Sequence, residues 1–460
     1  MKKMNYGAFL LSMCCITHQA MARIDFSPFE YSVHVKDIVG KSPKELTQSR
    51  LLPNQLFNND TPENSIPADI SFMIIDIKYT DDHQVKILEY GDGGVSGFKV
   101  LDHTLGIGRV WEDFWYYLKQ FKLPMWYAGY YNGRLPYIGA RVLQNLGGHL
   151  SPSLKHIKSN IFFKAVARQR FSSESNQKIY GYKGIIVTRE RDTQAIEKFK
   201  KNYPQFLVVN TAAKNFVTNK KATDDLFDEP ELGNYRPKRV IYPKIYTPTL
   251  AENIINQLGS KYYVVKPINS GKGNGILMIK ARDLDATLKL ILEEYKPEKV
   301  STTYSYNPYV PLTTGYWRHD RNPHFLVEEY VKSKPITVGY KPYDATMRII
   351  FTQHYHEGKI YTKFINAYWK RPVKSLIESG TFREKHISKH APNHYESLGL
   401  QVNVKDLSDI YTILKPVLPH VYWKMLTKYY GSKMAQEKEK TISDLETEYQ
   451  KEILASDDIS

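Results

Sequence analysis

The stretch that decides the fold is Tyr262–Lys280, with the sequence YYVVKPINSGKGNGILMIK. Its apolar first half predicts a β-strand that ends at Lys266-Pro267, and Ile276–Ile279 predicts a second strand. The loop between the two strands carries closely spaced glycines: Gly271, Gly273 and Gly275. Glycine reaches backbone angles that are closed to other residues, and it lets the main chain approach a ligand closely. The stretch therefore predicts a strand, a glycine loop and a returning strand.

Such a loop is one way to cover a polyphosphate. Backbone N–H groups can point at phosphate oxygens where no side chain intervenes, and Lys266 and Lys272 supply positive charges for the same oxygens. The loop alone is equally compatible with a tight β-hairpin and a solvated lysine. The sequence around the loop has to decide between these two interpretations.

Composition describes a basic, globular chain. With 460 residues, of which 42% are hydrophobic and 24% charged, there is room for two or three domains with full cores. The formal charge of +16 favours anionic partners. The lysines are dispersed and do not interleave with aromatic residues, so we expect no specific nucleic-acid platform. No segment after the N-terminus is apolar enough to span a bilayer.

Residues 1–22 resemble a secretory signal peptide. They contain Lys2 and Lys3, an apolar run over residues 8–16 and the small-residue ending Ala20-Met21-Ala22. Cleavage there predicts an exported protein, periplasmic or secreted, that has lost both of its cysteines and hence any disulfide. The alternative is a start at Met21, which predicts a cytoplasmic protein.

The rest of the chain divides into three predicted parts. Residues 23–209 predict an N-terminal α/β region that contains a hairpin over 70–92, a helix over 110–121 and a βαβ-like layer near 185–209. Residues 210–430 predict a second unit with a helix over 284–294, strands over 325–330 and 346–353, and one long closing helix over 407–430. Residues 431–460 are a tail rich in Lys and Glu.

Charged motifs lie before and after the glycine loop within this second unit. Before it comes Lys220-Lys221 at the start of an amphipathic segment, and after it comes an apolar strand that ends in Glu328-Glu329-Tyr330-Val331. Arg348 follows on a further strand. In this order the motifs resemble the ATP-grasp superfamily, the fold of D-alanine–D-alanine ligase and glutathione synthetase, over roughly residues 210–372. A P-loop and a Rossmann site are disfavoured because a strand, and not a helix, follows the glycines.

The resemblance implies an α+β (α/β) protein: an ATP-grasp fold of two α+β lobes, preceded by an N-terminal α/β region. It implies ATP as cofactor, with phosphates held by Lys220 (or Lys221), by Lys266 and by the loop residues Gly271, Lys272, Gly273 and Gly275. It implies a hinge at Glu328, Glu329, Tyr330 and Val331 that holds adenine. Arg348 and Lys266 would then be the catalytic residues, since they match positions that steady the transferred phosphate.

The sequence departs from the family pattern at the metal site. The family has a late strand ending in Glu-x-Asn that holds two Mg²⁺ ions, and no such motif follows Arg371. The hairpin over 70–92 resembles that metal hairpin, with Asp76 on its first strand, Glu89 ending its second and Asp92 near the usual asparagine. The resemblance thus implies a circular permutation, with Asp76 and Glu89 as the Mg²⁺ ligands.

Two functions remain open on this sequence. The first is an ATP- and Mg²⁺-dependent ligase that activates a small-molecule or peptide carboxylate as an acylphosphate for attack by an amine. The second is a catalytically inactive secreted protein that binds an anionic ligand or partner on the same scaffold. The second hypothesis follows from the predicted signal peptide, since ATP is scarce outside the cytoplasm. Five histidines are expected to be exposed side chains and not metal ligands: His354, His356, His386, His390 and His394.

Overall fold

The computed structural model describes residues 24–39, 41, 66–95, 98, 101, 106–129, 138–155, 182–190, 192–217, 219–269, 275–293, 317, 320–387 and 399–431. The predicted signal peptide and the predicted charged tail beyond 431 lie outside these ranges, as do His390, His394 and, in the glycine loop, Gly271, Lys272 and Gly273. The described chain mixes helices with antiparallel and parallel sheets, which confirms the predicted α+β class.

The strands and helices are numbered here in chain order. The strands are β1 (Glu30–His34), β2 (Asp69–Tyr79), β3 (Val85–Asp92), β4 (Met125–Ala128), β5 (His149–Ser151), β6 (Gly184–Thr188), β7 (Phe206–Val208), β8 (Arg239–Pro243), β9 (Tyr262–Pro267), β10 (Leu277–Lys280), β11 (His324–Glu329), β12 (Ile336–Val338), β13 (Lys341–Tyr343), β14 (Thr346–His356), β15 (Lys359–Lys370) and β16 (Gly399–Gln401). The helices are α1 (Val35–Ile38), α2 (Arg109–Lys119), α3 (Ile138–Asn145), α4 (Thr193–Asn202), α5 (Lys214–Val217), α6 (Lys220–Asp224), α7 (Pro230–Gly233), α8 (Leu250–Leu258), α9 (Leu284–Leu292), α10 (Phe382–His386), α11 (Val404–Leu414) and α12 (417–431).

The largest sheet joins the N-terminal hairpin to strands from the far end of the chain. Its strand order is β1-β15-β14-β2-β3, with β16 paired to β15, and these neighbouring strands run antiparallel. In the register of this sheet Asp76 lies opposite Arg348 on β14 and opposite Glu89 on β3. The hairpin β2–β3 is therefore an integral part of the sheet that carries Arg348.

The two faces of β2 meet different partners, as strand alternation requires. Met73, Ile75 and Ile77 pack in the core beneath α11 and α12. On the opposite face, Ile70, Phe72 and Ile74 pack against α2 and the parallel sheet of the N-terminal unit. The same face continues with Asp76 and Lys78, where it leaves that apolar core.

The glycine-loop strands belong to a smaller antiparallel sheet with the order β10-β9-β11-β8. Tyr263, Val265 and Val327 point from one face of this sheet into a core with α8 and α9. The alternate residues Val264, Lys266 and Glu328 occupy the other face. The two strands predicted on either side of the glycine loop are confirmed as β9 and β10, which pair antiparallel.

A third, parallel sheet has the order β5-β4-β6-β7. It matches the predicted βαβ-like layer, with α4 connecting β6 to β7. Asp192 caps α4 by accepting hydrogen bonds from the backbone of Gln194 and Ala195. This sheet and α2 cover the apolar part of the large sheet, so they leave only its polar end open.

The prediction of a single closing helix over 407–430 is wrong in one respect. The helix ends at Leu414, and α12 begins two residues later, after Lys415 and Pro416. Proline lacks an N–H and its ring clashes with the preceding turn, so it interrupts the helix where the apolar spacing continues. Within the described part of the chain, we find no helix that is both long and apolar enough to cross a membrane.

Candidate functional site

A cleft lies between the polar end of the large sheet and the open face of the small sheet. It encloses about 840 Å³, part of which is open to solvent. Both sheets, the hinge between them and a later segment contribute its lining residues: Asp76, Lys78, Leu88, Glu89, Lys220, Val264, Lys266, Ile276, Met278, Glu328, Glu329, Tyr330, Val331, Thr346, Lys370, His386 and Ile387. Most of the residues predicted from the sequence as site residues and described here line this one cleft.

The cleft has an apolar end and a charged end. On the small sheet, Val264 pairs with both Met278 and Glu328, at the end where β11 runs into the hinge. Lys266 lies two residues further along the same face of β9, about 7 Å further from the hinge. The apolar end is thus at the hinge, where Val264 and Met278 lie next to the buried Glu328, and the charged end is where Lys266 meets the large sheet.

The small sheet holds a buried ion cluster, the Glu328 triad, formed by Glu328, Lys266 and Arg236. Glu328 bonds Lys266 through Oε2 and accepts a 3.1 Å hydrogen bond from Arg236 at Oε1. The Glu328 and Arg236 side chains are only 1–2% exposed. Burial by itself raises the pKa of Glu328, but the two cations hold that pKa below its ordinary value. The triad keeps one net positive charge facing the cleft.

The large sheet holds a second cluster, the Asp76 triad, formed by Asp76, Arg348 and Lys370. Arg348 donates two hydrogen bonds to Asp76, from Nε at 2.7 Å and from Nη2 at 2.8 Å. Lys370 donates a third at 2.5 Å. Burial raises the pKa of Asp76, yet the two cations outweigh it and hold the carboxyl ionised. Arg348 lies beside the cleft and reaches it through Asp76, with 18% of its side chain exposed.

Glu89 and Lys220 complete the charged end. The Glu89 side chain is half-buried and, among the described residues, no hydrogen bond or ion pair engages its carboxylate. Lys220 begins α6 and donates from Nζ to the carbonyl of Ile268 at 3.3 Å. Burial, together with the nearby charge of Lys266, lowers the pKa of Lys220 to about 8. A half-buried, unengaged carboxylate here faces a set of incompletely neutralised cations.

The residues offer an incomplete set of ligands for Mg²⁺. Hard oxygen ligands are what this ion takes, and one or two carboxylates with substrate phosphates are a common set. Glu89 provides a carboxylate without a protein partner, while both oxygens of Asp76 already accept hydrogen bonds. The described residues contain no cluster of three or more acidic or histidine side chains arranged for a metal. Any bound Mg²⁺ would therefore depend on ligand oxygens besides those of the protein.

The glycine loop is anchored at both of its described ends. At its entry, the backbone of Lys220 donates to Ile268 and that of Asn269 to Asp320. At its exit, Trp317 donates to the carbonyl of Gly275 at 2.8 Å, and Arg383 donates to the carbonyl of Ile276 at 2.6 Å. Gly275 has φ of 73°, a left-handed conformation that favours glycine. The anchors fix where the loop leaves and rejoins the small sheet.

The structure places the two candidate lysines differently, and it corrects the expectations for Asp92 and His354. Lys220 lines the cleft, whereas Lys221 is exposed. Asp92 does not line the cleft; it is buried against Asn210 and lies 3.6 Å from Lys214. His354 is buried, bonded to Tyr117 and stacked on Tyr361, so the expectation of an exposed side chain was wrong.

Sequence reasoning missed a polar cluster centred on Asp344. This fully buried carboxylate accepts hydrogen bonds from Lys78 at 2.8 Å, from the backbone of Ser333 at 2.7 Å, from Tyr330, and has His386 Nδ1 at 2.6 Å. Lys78 and His386 both line the cleft. The expectation that His386 is exposed was therefore wrong. Asp344 joins the large sheet to the hinge, and only its position directly before β14 was visible in the sequence.

Comparisons with known proteins place few constraints on this chain. No protein-family model matches it, and no curated protein matches it. Among solved structures, it is similar to a protein described as a gamma-glutamylcysteine synthetase from Methylobacillus flagellatus. That similarity has 9% identity and a TM-score of 0.42, and covers 80% of this chain and 91% of the other.

Two further solved structures show weaker similarity. One is the D-cycloserine synthetase DcsG, with 10% identity, a TM-score of 0.34 and coverage of 65% of this chain and 82% of the other. The other is D-alanyl-alanine synthetase A from Vibrio cholerae, with 12% identity, a TM-score of 0.31 and coverage of 65% and 81%. All three TM-scores are below 0.5, so the likeness is weak.

Proposed function

We propose that this chain is an ATP- and Mg²⁺-dependent ligase of the ATP-grasp type, which activates a carboxylate as an acylphosphate for attack by an amine. One observation carries the proposal. The hairpin β2–β3 pairs with β14, although about 250 residues separate them, and so Asp76 and Glu89 face the cleft that Lys220 and Lys266 also line. A circularly permuted metal hairpin requires this pairing.

The division of the cleft suits a nucleoside triphosphate. The apolar end, with Val264 and Met278 beside the hinge, fits a planar base. The charged end, with Lys220 and Lys266, fits a chain of phosphates, since ammonium groups act as point charges for phosphate oxygens. The anchored glycine loop begins beside Lys220 and would cover the phosphates.

Glu89, with Asp76, would hold the metal. Bound Mg²⁺ neutralises phosphate charge and orients the transferred group. Asp76 would bind it only by sharing or releasing one of its bonds to Arg348 and Lys370. The cations freed in this way would lie next to the phosphate that is transferred.

The reaction then needs positioning and charge neutralisation more than covalent chemistry by the protein. A carboxylate oxygen of the substrate attacks the γ-phosphorus, the bond to the β-phosphate oxygen breaks, and ADP leaves. Arg348 and Lys370 stabilise the negative charge of the acylphosphate. An amine attacks the acyl carbon, the bond from that carbon to the phosphate oxygen breaks, and inorganic phosphate leaves with the proton that the amine loses as the amide forms. Exclusion of water by the glycine loop would protect the acylphosphate from hydrolysis.

Trapping with hydroxylamine tests the proposal before the substrate is known. Hydroxylamine is a nucleophilic amine that converts an acylphosphate into a hydroxamate and releases phosphate. The protein is incubated with MgATP, hydroxylamine and pools of amino acids, short peptides and other small carboxylates. We expect ADP and a hydroxamate in at least one pool, and loss of both in Lys220→Met but not in the exposed neighbour Lys221→Met.

A non-catalytic binding protein is the second candidate function. It is favoured by the Asp76 triad, since a carboxylate already engaged by two cations needs no metal. This alternative predicts that MgATP or another polyanion binds without ADP formation in any pool. That result, obtained with protein that binds MgATP, would replace the ligase proposal.

A further inference from the structure

A segment that follows the large sheet crosses over to the small one. This strap, residues 371–387, begins after β15 and ends in the short helix α10. Thr381 and Glu384 form a capping box that fixes the start of α10. The backbone N–H of Leu376 donates to the carbonyl of Pro342 at 2.8 Å, and Lys341 bonds Glu378 at 2.8 Å. The strap is thus tied to the β12–β13 hairpin before it reaches the cleft.

The strap touches the small sheet at the hinge end of the cleft. Phe382 stacks on Tyr262, at the start of β9, with ring centroids 4.4 Å apart and planes 2° apart. It also meets the ring of Tyr330 at 5.0 Å. Arg383 donates to the carbonyl of Ile276, which lies at the exit of the glycine loop. These contacts place the end of the strap over the apolar end of the cleft.

His386 is held rigidly at this place. Its Nδ1 is 2.6 Å from both Asp344 and the hydroxyl of Tyr330. Its ring packs against Phe382, with centroids 4.2 Å apart. Only 9% of the His386 side chain is exposed, and the residue lines the cleft together with Ile387. With Nδ1 turned to Asp344, Nε2 is the ring's remaining polar atom for a ligand.

We infer that His386 and Ile387 form one wall of a nucleoside subsite, opposite Val264 and Met278 of the small sheet. The inference rests on the proposed function, because it names the part of the same cleft that takes the base and sugar. A flat ring and an aliphatic side chain on one side, and two aliphatic side chains on the other, enclose a planar heterocycle. The phosphates would lie toward Lys220 and Lys266, away from His386 and Ile387.

Two ligands separate the nucleoside subsite from the phosphate subsite. MgATP carries both groups, whereas magnesium tripolyphosphate carries only the phosphates. Dissociation constants for both are measured by titration calorimetry on wild type, His386→Ala and Ile387→Ser. The control is His356→Ala, at the far end of β14, eight residues or about 27 Å from Arg348.

We expect His386→Ala to weaken MgATP binding by about tenfold or more, in line with the loss of one base-stacking contact. Its affinity for tripolyphosphate should stay within about twofold of wild type, as should both affinities of His356→Ala. Ile387→Ser should show the same selective loss, to a smaller extent. If thermal melting shows that His386→Ala is unfolded, the result for Ile387→Ser decides the test, since Ile387 lies outside the Asp344 cluster.

The outcomes separate this inference from the proposed function. MgATP affinity within twofold of wild type in both strap variants overturns the inference, as does an equal loss of both ligands. A wild-type protein that binds tripolyphosphate as tightly as ATP also overturns it, while the phosphate site stands. If wild type binds neither ligand, the proposed function itself fails.

Discussion

The two ion triads that face each other across the cleft have the same composition but different surroundings. Each places one carboxylate between two cations, Glu328 in the small sheet and Asp76 in the large one. In the Glu328 triad the side chains of Arg236 and Glu328 are almost fully buried, at 2% and 1% exposure. In the Asp76 triad the side chain of Arg348 keeps 18% of its surface exposed, and the free carboxylate of Glu89 lies across the hairpin.

Because the two triads differ in exposure, we expect them to have different roles. Glu328 and Arg236 are almost fully buried, so they cannot exchange partners without leaving a charge uncompensated, and they form a fixed support for Lys266. The Asp76 triad is partly solvated and adjoins a second carboxylate, so its cations can be shared with a ligand. We therefore expect substitutions in the first triad to act mainly on stability and binding, and those in the second to act mainly on turnover.

The largest expected effect is on folding. Glu328→Gln leaves Lys266 and Arg236 buried without a counter-charge, which should lower the free energy of unfolding by about 3–5 kcal/mol. Asp76→Asn should cost less than half as much, because Arg348 keeps 18% of its side-chain surface exposed to water, whereas Arg236 keeps 2%. Urea denaturation measures both variants. Equal losses, or a larger loss for Asp76→Asn, would remove the distinction between the triads.

The second-largest expected effect is that substitutions of Arg348 and Lys266 act on different steps, the first on turnover and the second on MgATP binding. Arg348→Lys retains the charge but loses the two-pronged contact, so hydroxamate formation should fall by about a hundredfold, or roughly 2.7 kcal/mol, with the MgATP dissociation constant nearly unchanged. Lys266→Met should instead raise that dissociation constant. Steady-state kinetics of hydroxamate formation and calorimetric titration measure the two parameters. If both variants change the rate of hydroxamate formation and the MgATP dissociation constant in the same way, the two triads do not have the different roles assigned to them.

The role of Glu89 is tested by magnesium. If Glu89 holds the ion, Glu89→Gln should reduce the gain in ATP affinity that Mg²⁺ gives by roughly thirtyfold, the equivalent of about 2 kcal/mol for a hydrogen bond or contact to a charged group. ATP binding in EDTA should be unchanged. Glu357→Gln, at the exposed turn between β14 and β15, is the matched control. An unaltered response to Mg²⁺ in Glu89→Gln would remove the hairpin from the metal site.

The smallest expected effect is that of pH. Because the pKa of Lys220 is lowered to about 8, roughly nine in ten molecules carry its charge at pH 7 and one in ten at pH 9. Tripolyphosphate affinity should therefore fall by up to about tenfold over this range. In Lys220→Arg, which stays charged, the decline should be much smaller. An equal decline in both proteins would show that another group titrates.

The same titration affects stability with the opposite sign. An unfolded lysine has a pKa near 10.4, so above pH 8 the unfolded chain binds more protons at Lys220 than the folded chain does. The contribution of Lys220 to the free energy of unfolding therefore rises between about pH 8 and pH 10. Loss of ligand affinity at pH 9 would thus not arise from unfolding at this residue.

Much of the fold was predictable because strand signals are local. The alternation in β2 and the apolar run of β9 each identify a strand from consecutive residues, and Asp76 and Lys266 stand out as charges within them. The break at Pro416 was equally local, and the continuous apolar spacing concealed it. That the hairpin lies near the glycine loop was expected only from the family resemblance, and residues of both β2–β3 and β9 line the same cleft.

The remaining features depend on contacts between distant residues. Arg236 and Glu328 are separated by 92 positions, and His386 and Asp344 by 42, so neither partnership leaves a pattern in the sequence. Asp92 was misplaced because it lies three residues after Glu89 on β3, and its side chain meets Asn210 instead. Successive side chains of a strand alternate between its two faces, so residues three apart occupy opposite faces.

The most direct test of the central claim is a calorimetric titration of MgATP into wild type, Lys220→Met and Lys221→Met. The two lysines are neighbours in the sequence, but only Lys220 lines the cleft between the triads. We predict that wild type and Lys221→Met bind MgATP with the same affinity and that Lys220→Met binds at least tenfold more weakly. Absence of binding to wild type, or equal affinity in all three proteins, would contradict the assignment of this cleft as the ATP site.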